Sequence, residues 1–169
     1  TDQQFFGGSV TDLQQARSAT DLPVIRKDFT VSEFDVVDAR LMGADCVLLI
    51  AAVLSASELQ RFHDLATEIG LDVLIETHDE SELDRVLGVG ARLVGVNQRD
   101  LRTFEVDHQR AERMAALIPT SAIRIAESGV RDVADAQRLR NAGYDAVLVG
   151  ESIVTSGDPE ESVRKLLVA

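Results

Sequence analysis

The chain has 169 residues, of which 45% are hydrophobic and 27% charged, and a formal net charge of −12. This length supports one substantial core, and the composition is that of a folded globular protein rather than a disordered tail. An acidic surface repels nucleic acid and anionic lipid, no apolar stretch reaches the length of a membrane span, and no signal peptide is recognised. We therefore expect a cytoplasmic protein with neither nucleic-acid nor membrane partners.

Short aliphatic runs alternate along the chain with segments of helical periodicity. The runs are nearly continuous in Val, Ile and Leu, which is typical of strands buried on both faces of a parallel sheet. The predicted strands are Pro23–Lys27, Asp45–Ile50, Asp72–Thr77, Arg92–Asn97, Ala122–Glu127 and Asp145–Gly150. The predicted helices are Thr11–Ala19, Ser32–Met42, Ser55–Ile69, Ser81–Leu87, Asp107–Leu117, Asp132–Asn141 and Pro159–Val168.

A glycine stands between a predicted helix and the next strand at four places, namely Gly43, Gly70, Gly90 and Gly143. Glycine there supplies the left-handed residue that commonly ends a helix. Six βα units in series, without a linker, predict one α/β domain over residues 1–169. Both a doubly wound sheet and a (β/α)8 barrel fit this pattern, and the missing glycine-rich dinucleotide fingerprint weakens the doubly wound alternative.

Polar side chains follow the predicted strands where each strand ends: Lys27, Glu76, Asn97 with Arg99, and Glu127. Functional groups in parallel α/β folds sit at the carboxyl ends of strands, so we expect these groups to converge on one mouth. A lysine there can act as general acid and a glutamate as general base. Lys27 is the strongest signal because the chain has only two lysines, whereas strand ends need polar residues for structural reasons alone.

The last two predicted strands end in glycine-containing turns, Ser128-Gly129 and Gly150-Glu151-Ser152. Barrels often bind phosphate with the loops after their final strands, through backbone N–H groups that glycine lets a ligand approach. We expect Glu151 to offer its N–H group while its carboxylate turns away.

Other side chains carry weaker signals. The single cysteine, Cys46, excludes an internal disulfide and is expected to be a small buried hydrophobe. No pair of histidines has metal-ligand spacing with a third ligand, so no metal site is predicted. His78 is the one histidine near the expected mouth. Three phenylalanines are expected to pack either on an aromatic substrate or in the protein interior; they are Phe5, Phe6 and Phe29.

Taken in order, these motifs resemble the indole-3-glycerol-phosphate synthase family, the (β/α)8 TIM barrels of tryptophan biosynthesis. The matching segments are residues 5–9, 23–29, 43–50, 76–78, 95–104, 126–129 and 149–152. The resemblance implies a partial barrel of six βα units, equivalent to strands three to eight. It also implies a carboxy-lyase that closes an indole ring on 1-(2-carboxyphenylamino)-1-deoxyribulose 5-phosphate, losing CO₂ and water without a metal or cofactor.

The resemblance assigns catalytic roles to four residues. Lys27 would protonate the substrate carbonyl, Glu76 would serve the proton transfers of dehydration, Asn97 would orient the substrate and Glu127 would line the site. Binding roles fall to eight more residues: Phe6 and Phe29 for the anthranilate ring, Arg99 for a substrate anion, Leu101 for the substrate, and Ser128, Gly129, Gly150 and Glu151 for phosphate.

The family's first-strand motif, Glu-x-Lys-x-x-Ser-Pro-Ser, has no match here, and Thr1 aligns with the end of the second strand. We therefore expect an N-terminally truncated chain with impaired catalysis. Two alternatives stay open. One is a non-catalytic partial barrel that associates through open sheet edges. The other is a phosphate-binding barrel isomerase, against which Lys27-Asp28-Phe29 and Asn97-Gln98-Arg99-Asp100 argue.

Overall fold

The computed structural model describes residues 1–100 and 103–167, in which helices and strands alternate. The strands are β1 (Ile25–Arg26), β2 (Cys46–Ile50), β3 (Asp72–Thr77), β4 (Leu93–Asn97), β5 (Ile123–Glu127) and β6 (Ala146–Leu148). The helices are α1 (Val10–Ala19), α2 (Glu33–Leu41), α3 (Ala56–Glu68), α4 (Glu80–Gly88), α5 (His108–Ala115), α6 (Val133–Asn141), α7 (Glu151–Val154) and α8 (Pro159–Leu167). The six predicted βα units are confirmed.

The structure shortens five of the predicted strands, β1 and β6 the most, and adds one helix. β1 covers only two of the five residues in the predicted strand, which began at Pro23, a residue with no N–H group to donate to a sheet. β6 ends at Leu148 instead of Gly150, because Gly150 already caps α7. The sequence did not indicate α7, a four-residue helix that lacks a side-chain hydrogen bond at its N-cap.

The predicted helix-ending glycines are confirmed at all four positions. Gly43, Gly70, Gly90 and Gly143 have φ values of 94°, 78°, 79° and 104°. At the first of them, the Gly43 N–H donates to the Arg40 carbonyl and the Ala44 N–H to the Ala39 carbonyl. This pair of bonds is the Schellman motif, which satisfies the last carbonyls of a helix. Each of the four glycines therefore turns the chain from a helix toward the strand that follows.

Contacts within the chain group it into two compact units, which we describe separately. The first unit comprises residues 1–76 and 84–93. In it, β1, β2 and β3 are neighbours in that order and run parallel, with Cys46 opposite both Ile25 and Asp72. Its core is aliphatic: residues 47–50 of β2 and residues 73–75 of β3 are buried. The expected burial of strands on both faces is confirmed for β2 and β3.

The second unit comprises residues 77–83 and the described residues from 94 to 167. In it, β4, β5 and β6 are neighbours in that order, and Glu127 of β5 lies opposite Leu148 of β6. β4 is buried from Val94 onward, but the expected burial is wrong for β6. Ala146 is exposed and its two followers are only half-buried, and in β5 only Ala126 and Glu127 are fully buried.

The single domain stays a prediction. Within residues 1–100 and 103–167, no helix is both long and apolar enough to cross a membrane.

Candidate functional site

Lys27 directly follows β1 and lies against a group of phenylalanines in the first unit. Its Nζ atom is 4.1 Å from the centroid of the Phe6 ring. Phe6 stacks on Phe29 with ring centroids 5.3 Å apart, and Phe5 meets Phe29 edge-on at the same distance. Phe5 is 62% exposed and Phe6 38% exposed. These rings therefore form an accessible aromatic surface with a cation on it, rather than part of the core.

The two neighbours of Lys27 in the sequence are held in place by polar contacts. Arg26 is buried, and its guanidinium donates to the Asp35 carbonyl at 2.6 Å and to the Asp28 carboxylate at 3.2 Å. The Phe29 N–H donates to the same carboxylate at 2.8 Å. Because successive side chains of an extended segment point to opposite sides, anchoring Arg26 and Asp28 on one side leaves Lys27 on the other.

Glu76 lies near the end of β3, opposite Ile50 of β2, and is only 1% exposed. Its carbonyl accepts a hydrogen bond from the Ala51 N–H at 3.0 Å, which extends the pairing of β2 and β3 by one residue beyond the end of β2. A carboxylate is rarely buried in this way unless a structural pairing or a function requires it. Glu76 is thus the buried acidic group of the first unit.

Asn97 and Glu127 end β4 and β5 in the second unit and are both buried. The Asn97 Oδ1 atom accepts a hydrogen bond from the Arg99 N–H at 2.9 Å, and its carbonyl accepts one from Arg110 at 3.0 Å. The Asn97 side chain therefore shapes the turn by which the chain leaves β4. The Glu127 carbonyl accepts a hydrogen bond from the Gln98 N–H at 3.0 Å.

The structure brings Arg99 and Glu151 together. The Arg99 guanidinium donates to the Glu151 carboxylate at 2.7 Å and to the Phe104 carbonyl at 3.3 Å. The side chains are 31% and 77% exposed, so water screens this ion pair and it contributes little to stability. The Arg99 guanidinium is therefore partly accessible to water. Leu101, the other predicted substrate contact of this loop, lies outside the described residues.

Ser128 and Gly129 form a tight turn after β5. Both are in the left-handed region, with φ values of 63° and 69°. A Cβ atom on Gly129 would lie 2.6 Å from the Val106 side chain and 3.0 Å from that of His108, so no larger residue fits. Turns with successive backbone N–H groups on one side form concavities that bind anions. Position 129 therefore requires glycine for two reasons, its left-handed backbone and the lack of space for a Cβ atom.

The turn after β5 is tied to the start of α7. The Ser152 hydroxyl donates to the Val130 carbonyl at 2.7 Å. Gly150 and Glu151, the other predicted phosphate contacts, stand at the first positions of the same helix. Both predicted phosphate-binding segments are thus linked within the second unit.

Gln98 lies within a sequence motif but was not predicted as a site residue, and it bonds to both neighbouring segments of this region. It is fully buried, and its Nε2 atom donates to the Ser128 carbonyl at 2.7 Å. Its own carbonyl accepts from the Asp107 N–H at 2.8 Å. The sequence indicated only that a polar residue, Gln98, follows Asn97 at the end of a strand. Nothing in the sequence indicated a partner 30 residues away.

His78 lies just after β3, with Nδ1 3.2 Å from the Glu82 carboxylate one helical turn on. Among residues 1–100 and 103–167, no group of three or more His, Cys, Asp or Glu side chains is arranged to hold a metal ion.

Comparison with known proteins gives the family. The family model described as indole-3-glycerol phosphate synthase matches residues 1–166. The chain belongs to the indole-3-glycerol phosphate synthase family. Three curated relatives with this name match it closely. The one from a Nocardioides species is 48% identical over 166 residues, covering 98% of this chain and 64% of the relative. The relatives from Streptomyces coelicolor and Mycobacterium tuberculosis are 47% and 48% identical over 169 residues.

The chain is shorter than these members of the family. It is covered completely by the Streptomyces and Mycobacterium proteins, of which it spans 63% and 62%.

Solved structures give the fold. A 3-hexulose-6-phosphate synthase superposes with a TM-score of 0.76 at 18% identity, covering 99% of this chain and 84% of that one. A protein described as KGPDC from Streptococcus mutans gives a TM-score of 0.71 at 13% identity, with coverage of 92% and 75%. These likenesses confirm the predicted α/β class, a partial TIM barrel of six βα units.

The predicted site residues are divided between the two compact units. Lys27, Glu76, Phe6 and Phe29 belong to the first unit, in which Lys27 and the two rings are in contact. The second unit contains Asn97, Arg99, Glu127, Ser128, Gly129, Gly150 and Glu151, in which Arg99 meets Glu151. The assignment of reaction roles to these residues stays a prediction.

Proposed function

We propose that the protein acts in the synthesis of indole-3-glycerol phosphate. The substrate would be 1-(2-carboxyphenylamino)-1-deoxyribulose 5-phosphate, as the membership of the chain in the family suggests. The observation that carries the proposal is the contact between Lys27 and the Phe6 ring, which stacks on Phe29. A proton donor beside an accessible aromatic surface suits a substrate whose reacting carbonyl is separated from an aromatic amine by a single CH₂ group.

The reaction needs one carbon–carbon bond to form and another to break. The ring carbon that bears the carboxyl group attacks the ribulose carbonyl carbon, and the Lys27 ammonium gives a proton to the carbonyl oxygen as it becomes a hydroxyl. The bond to the carboxylate then breaks, CO₂ leaves and the electron pair restores the aromatic ring. Loss of the hydroxyl as water completes the indole, with Glu76 handling the proton transfers and Glu127 lining the site.

Binding roles follow the chemistry of the remaining residues. Phe6 and Phe29 would hold the carboxyphenyl ring by stacking. Arg99 would bind the substrate carboxylate in place of Glu151, since an arginine fork matches a carboxylate. Backbone N–H groups of the turns 128–129 and 150–151 would hold the phosphate. Asn97 would orient the substrate, and Leu101 would contact it.

The proposal is tested by substrate titration and by turnover. The fluorescence of the carboxyphenylamino group reports binding, and the fluorescence of the indole product reports turnover. Both are measured on the chain alone and on the chain mixed with a polypeptide that carries the part of the Streptomyces relative it does not match. Substrate binding is expected in both samples, and absence of binding in both would contradict the proposal.

The two lysines provide a matched pair of variants for the same assay. The variants are compared in the mixed sample, because the chain alone is expected to be catalytically impaired. Lys27→Met is expected to lower turnover there by about 10²–10⁴-fold while substrate still binds, because a general acid is lost. Lys165→Met removes the other lysine, which lies on α8 beside Glu161 at 3.6 Å, and is expected to leave both measurements unchanged. Equal turnover of the two variants would contradict the role of Lys27.

A second candidate is association of the chain with itself. It is favoured by the incomplete burial of β6, whose residues 146–148 are exposed or half-buried. An exposed strand edge offers unpaired N–H and C=O groups to another chain. Light scattering at micromolar concentration is expected to show a mass above 18.4 kDa, and a stable monomer would contradict it. For either function we propose a location in the cytoplasm, to be checked by cell fractionation.

A further inference from the structure

We propose that Gln98 is a positioning residue that sets the direction of the anion-binding N–H group of Gly129. This inference rests on the proposed phosphate site and adds to it a residue with no ligand contact of its own. It is drawn entirely from contacts within the second unit.

The first observation is the bond from Gln98 to the turn. The Gln98 side chain is fully buried, and Nε2 donates to the Ser128 carbonyl at 2.7 Å. In a planar trans peptide, the carbonyl of one residue and the N–H of the next point in opposite directions. Because Gln98 holds the Ser128 carbonyl on its own side, the Gly129 N–H is directed away from Gln98.

The second observation is the conformation that this bond maintains. Ser128 has a φ of 63°, although left-handed backbone is unfavourable for a residue with a side chain. Such a conformation persists where the surrounding structure over-determines it, and it is concentrated at functional sites. The bond from Gln98 to the Ser128 carbonyl is one such constraint. Packing of Val106 against Gly129 is a second one.

The third observation is that Gln98 is poorly suited to a purely stabilising role. Its Oε1 atom is buried and has no hydrogen-bond partner in the described part of the chain. An unpaired buried carbonyl oxygen lowers stability. A glutamine kept for stability alone would have both ends of its amide bonded. Among the described residues, the hydrogen bond of its side chain goes to the predicted phosphate turn.

Gln98 also stands at the base of the loop that carries Arg99. The Asp107 N–H donates to the Gln98 carbonyl at 2.8 Å, and an antiparallel bridge joins Arg99 to Val106. Val106 is the side chain that packs on Gly129. The loop that carries Arg99 and the turn at Ser128 are therefore fixed to each other through Gln98.

The experiment follows the backbone amide resonance of Gly129 in ¹H–¹⁵N spectra of the full chain as inorganic phosphate is added. Gln98→Met keeps the length of the side chain but removes the N–H donor. It is expected to raise the dissociation constant of phosphate about fivefold to tenfold, as for one lost hydrogen bond, and its urea midpoint is compared with that of the wild type. Gln60→Met is the matched control, because Gln60 is an exposed glutamine of α3 whose side chain donates to Asp64. It is expected to leave the dissociation constant unchanged.

A second variant keeps the inference testable if Gln98→Met unfolds the chain. In Gln98→Glu, an ionised carboxylate cannot donate to the Ser128 carbonyl, but a protonated one can. Sulfate is the probe here, since it remains a dianion across the range used. Relative to the wild type, Gln98→Glu is expected to bind sulfate more weakly at about pH 7.5 than at about pH 5, where a buried glutamate is largely protonated.

The outcomes separate this inference from the proposed function. A wild-type Gly129 amide that does not respond to phosphate overturns the phosphate site and the role of Gln98 together. A wild-type response with an unchanged dissociation constant in Gln98→Met overturns the role of Gln98 alone. If Gln98→Met lowers both affinity and stability, recovery of sulfate binding by Gln98→Glu at low pH supports the inference, and no recovery overturns it.

Discussion

The ammonium group of Lys27 lies over the face of the Phe6 ring, with Nζ 4.1 Å from the ring centroid. A cation over an aromatic face is attracted by about 0.5–1 kcal/mol where water has access. Phe6 in turn stacks on Phe29 at 5.3 Å. The proposed proton donor and the proposed ring-binding surface are therefore in direct contact. A change to Phe6 should affect both the position of Lys27 and the binding of the substrate ring.

Replacement of Phe6 by leucine tests this contact. Phe6→Leu keeps apolar bulk but loses the ring face, and it is expected to weaken substrate binding about threefold to tenfold, since aromatic pairs contribute about 0.5–1.5 kcal/mol beyond buried area. The measurement is the fluorescence titration of substrate. Phe5→Leu is the control, because Phe5 contacts Phe29 edge-on and lies more exposed. If Phe5→Leu weakened binding more than Phe6→Leu, the stacking role of Phe6 would be refuted.

Three glycine-to-alanine variants test why Gly129 is glycine. Gly129→Ala combines left-handed backbone with a Cβ atom 2.6 Å from the Val106 side chain, and is expected to lower the free energy of unfolding by more than about 2 kcal/mol. Gly70→Ala meets no atom within 4 Å but has a φ of 78°, so a loss of about 1 kcal/mol is expected. Gly88→Ala has neither problem and is expected to be neutral or stabilising by about 0.4–1 kcal/mol.

Urea unfolding of the three alanine variants measures these differences. The double variant Gly129→Ala with Val106→Ala is expected to recover part of the loss, because it removes the contacting methyl group. Equal losses at Gly129 and Gly70 would show that packing against Val106 contributes nothing.

Local chemistry explains why much of the fold was predictable. The helix-ending glycines, such as Gly43, act through backbone that is close in sequence, so their pattern indicated the helix exits correctly. The aliphatic character of β2 and β3 indicated buried strands for the same reason. The short helix α7 was not predictable because its N-cap has no side-chain hydrogen bond to mark it.

The candidate site was predictable in its residue types but not in its contacts. Lys27 and Phe29 were found because they follow a strand within one motif. The stacking of Phe6 on Phe29 and the bond from Gln98 to Ser128 join residues that only the folded chain brings together. Spacing along the sequence has no information about which of several polar groups a buried glutamine will meet.

The pH dependence of stability can be traced to Asp135. Its side chain is buried, and hydrogen bonds from Arg131 at 2.8 and 3.0 Å are the main reason that the pKa of this carboxyl falls to about 2. A folded-state pKa below the unfolded value stabilises the protein above about pH 4, and the contribution is lost as the pH falls toward 2. This carboxylate contributes about 1–2 kcal/mol to the free energy of unfolding. The value is kept low because Arg131 is largely exposed and water screens the pair.

Asp135→Asn is accordingly expected to be less stable than the wild type at neutral pH, with the difference shrinking between about pH 4 and 2. Unfolding by urea at a series of pH values measures it. Arg131→Met should reduce the change in stability between about pH 4 and 2, because it removes the largest cause of the lowered Asp135 pKa. A difference that stays constant down to pH 2 would assign the acid sensitivity to other groups.

The thiol of Cys46 is expected to be unreactive in the folded chain. Cys46 is half-buried, and desolvation raises the pKa of its thiol to about 12, with Asp72 and Asp45 adding to the effect. Because the thiolate is the reactive form, alkylation by iodoacetamide near pH 8 should be roughly a thousandfold slower than in urea-unfolded chain. The native rate should still rise about tenfold per pH unit up to pH 10, whereas the unfolded rate levels off near an ordinary thiol pKa of about 8.5. A native rate that levels off in the same range would mean that Cys46 is hydrated, and that its position at the start of β2 leaves it open to solvent.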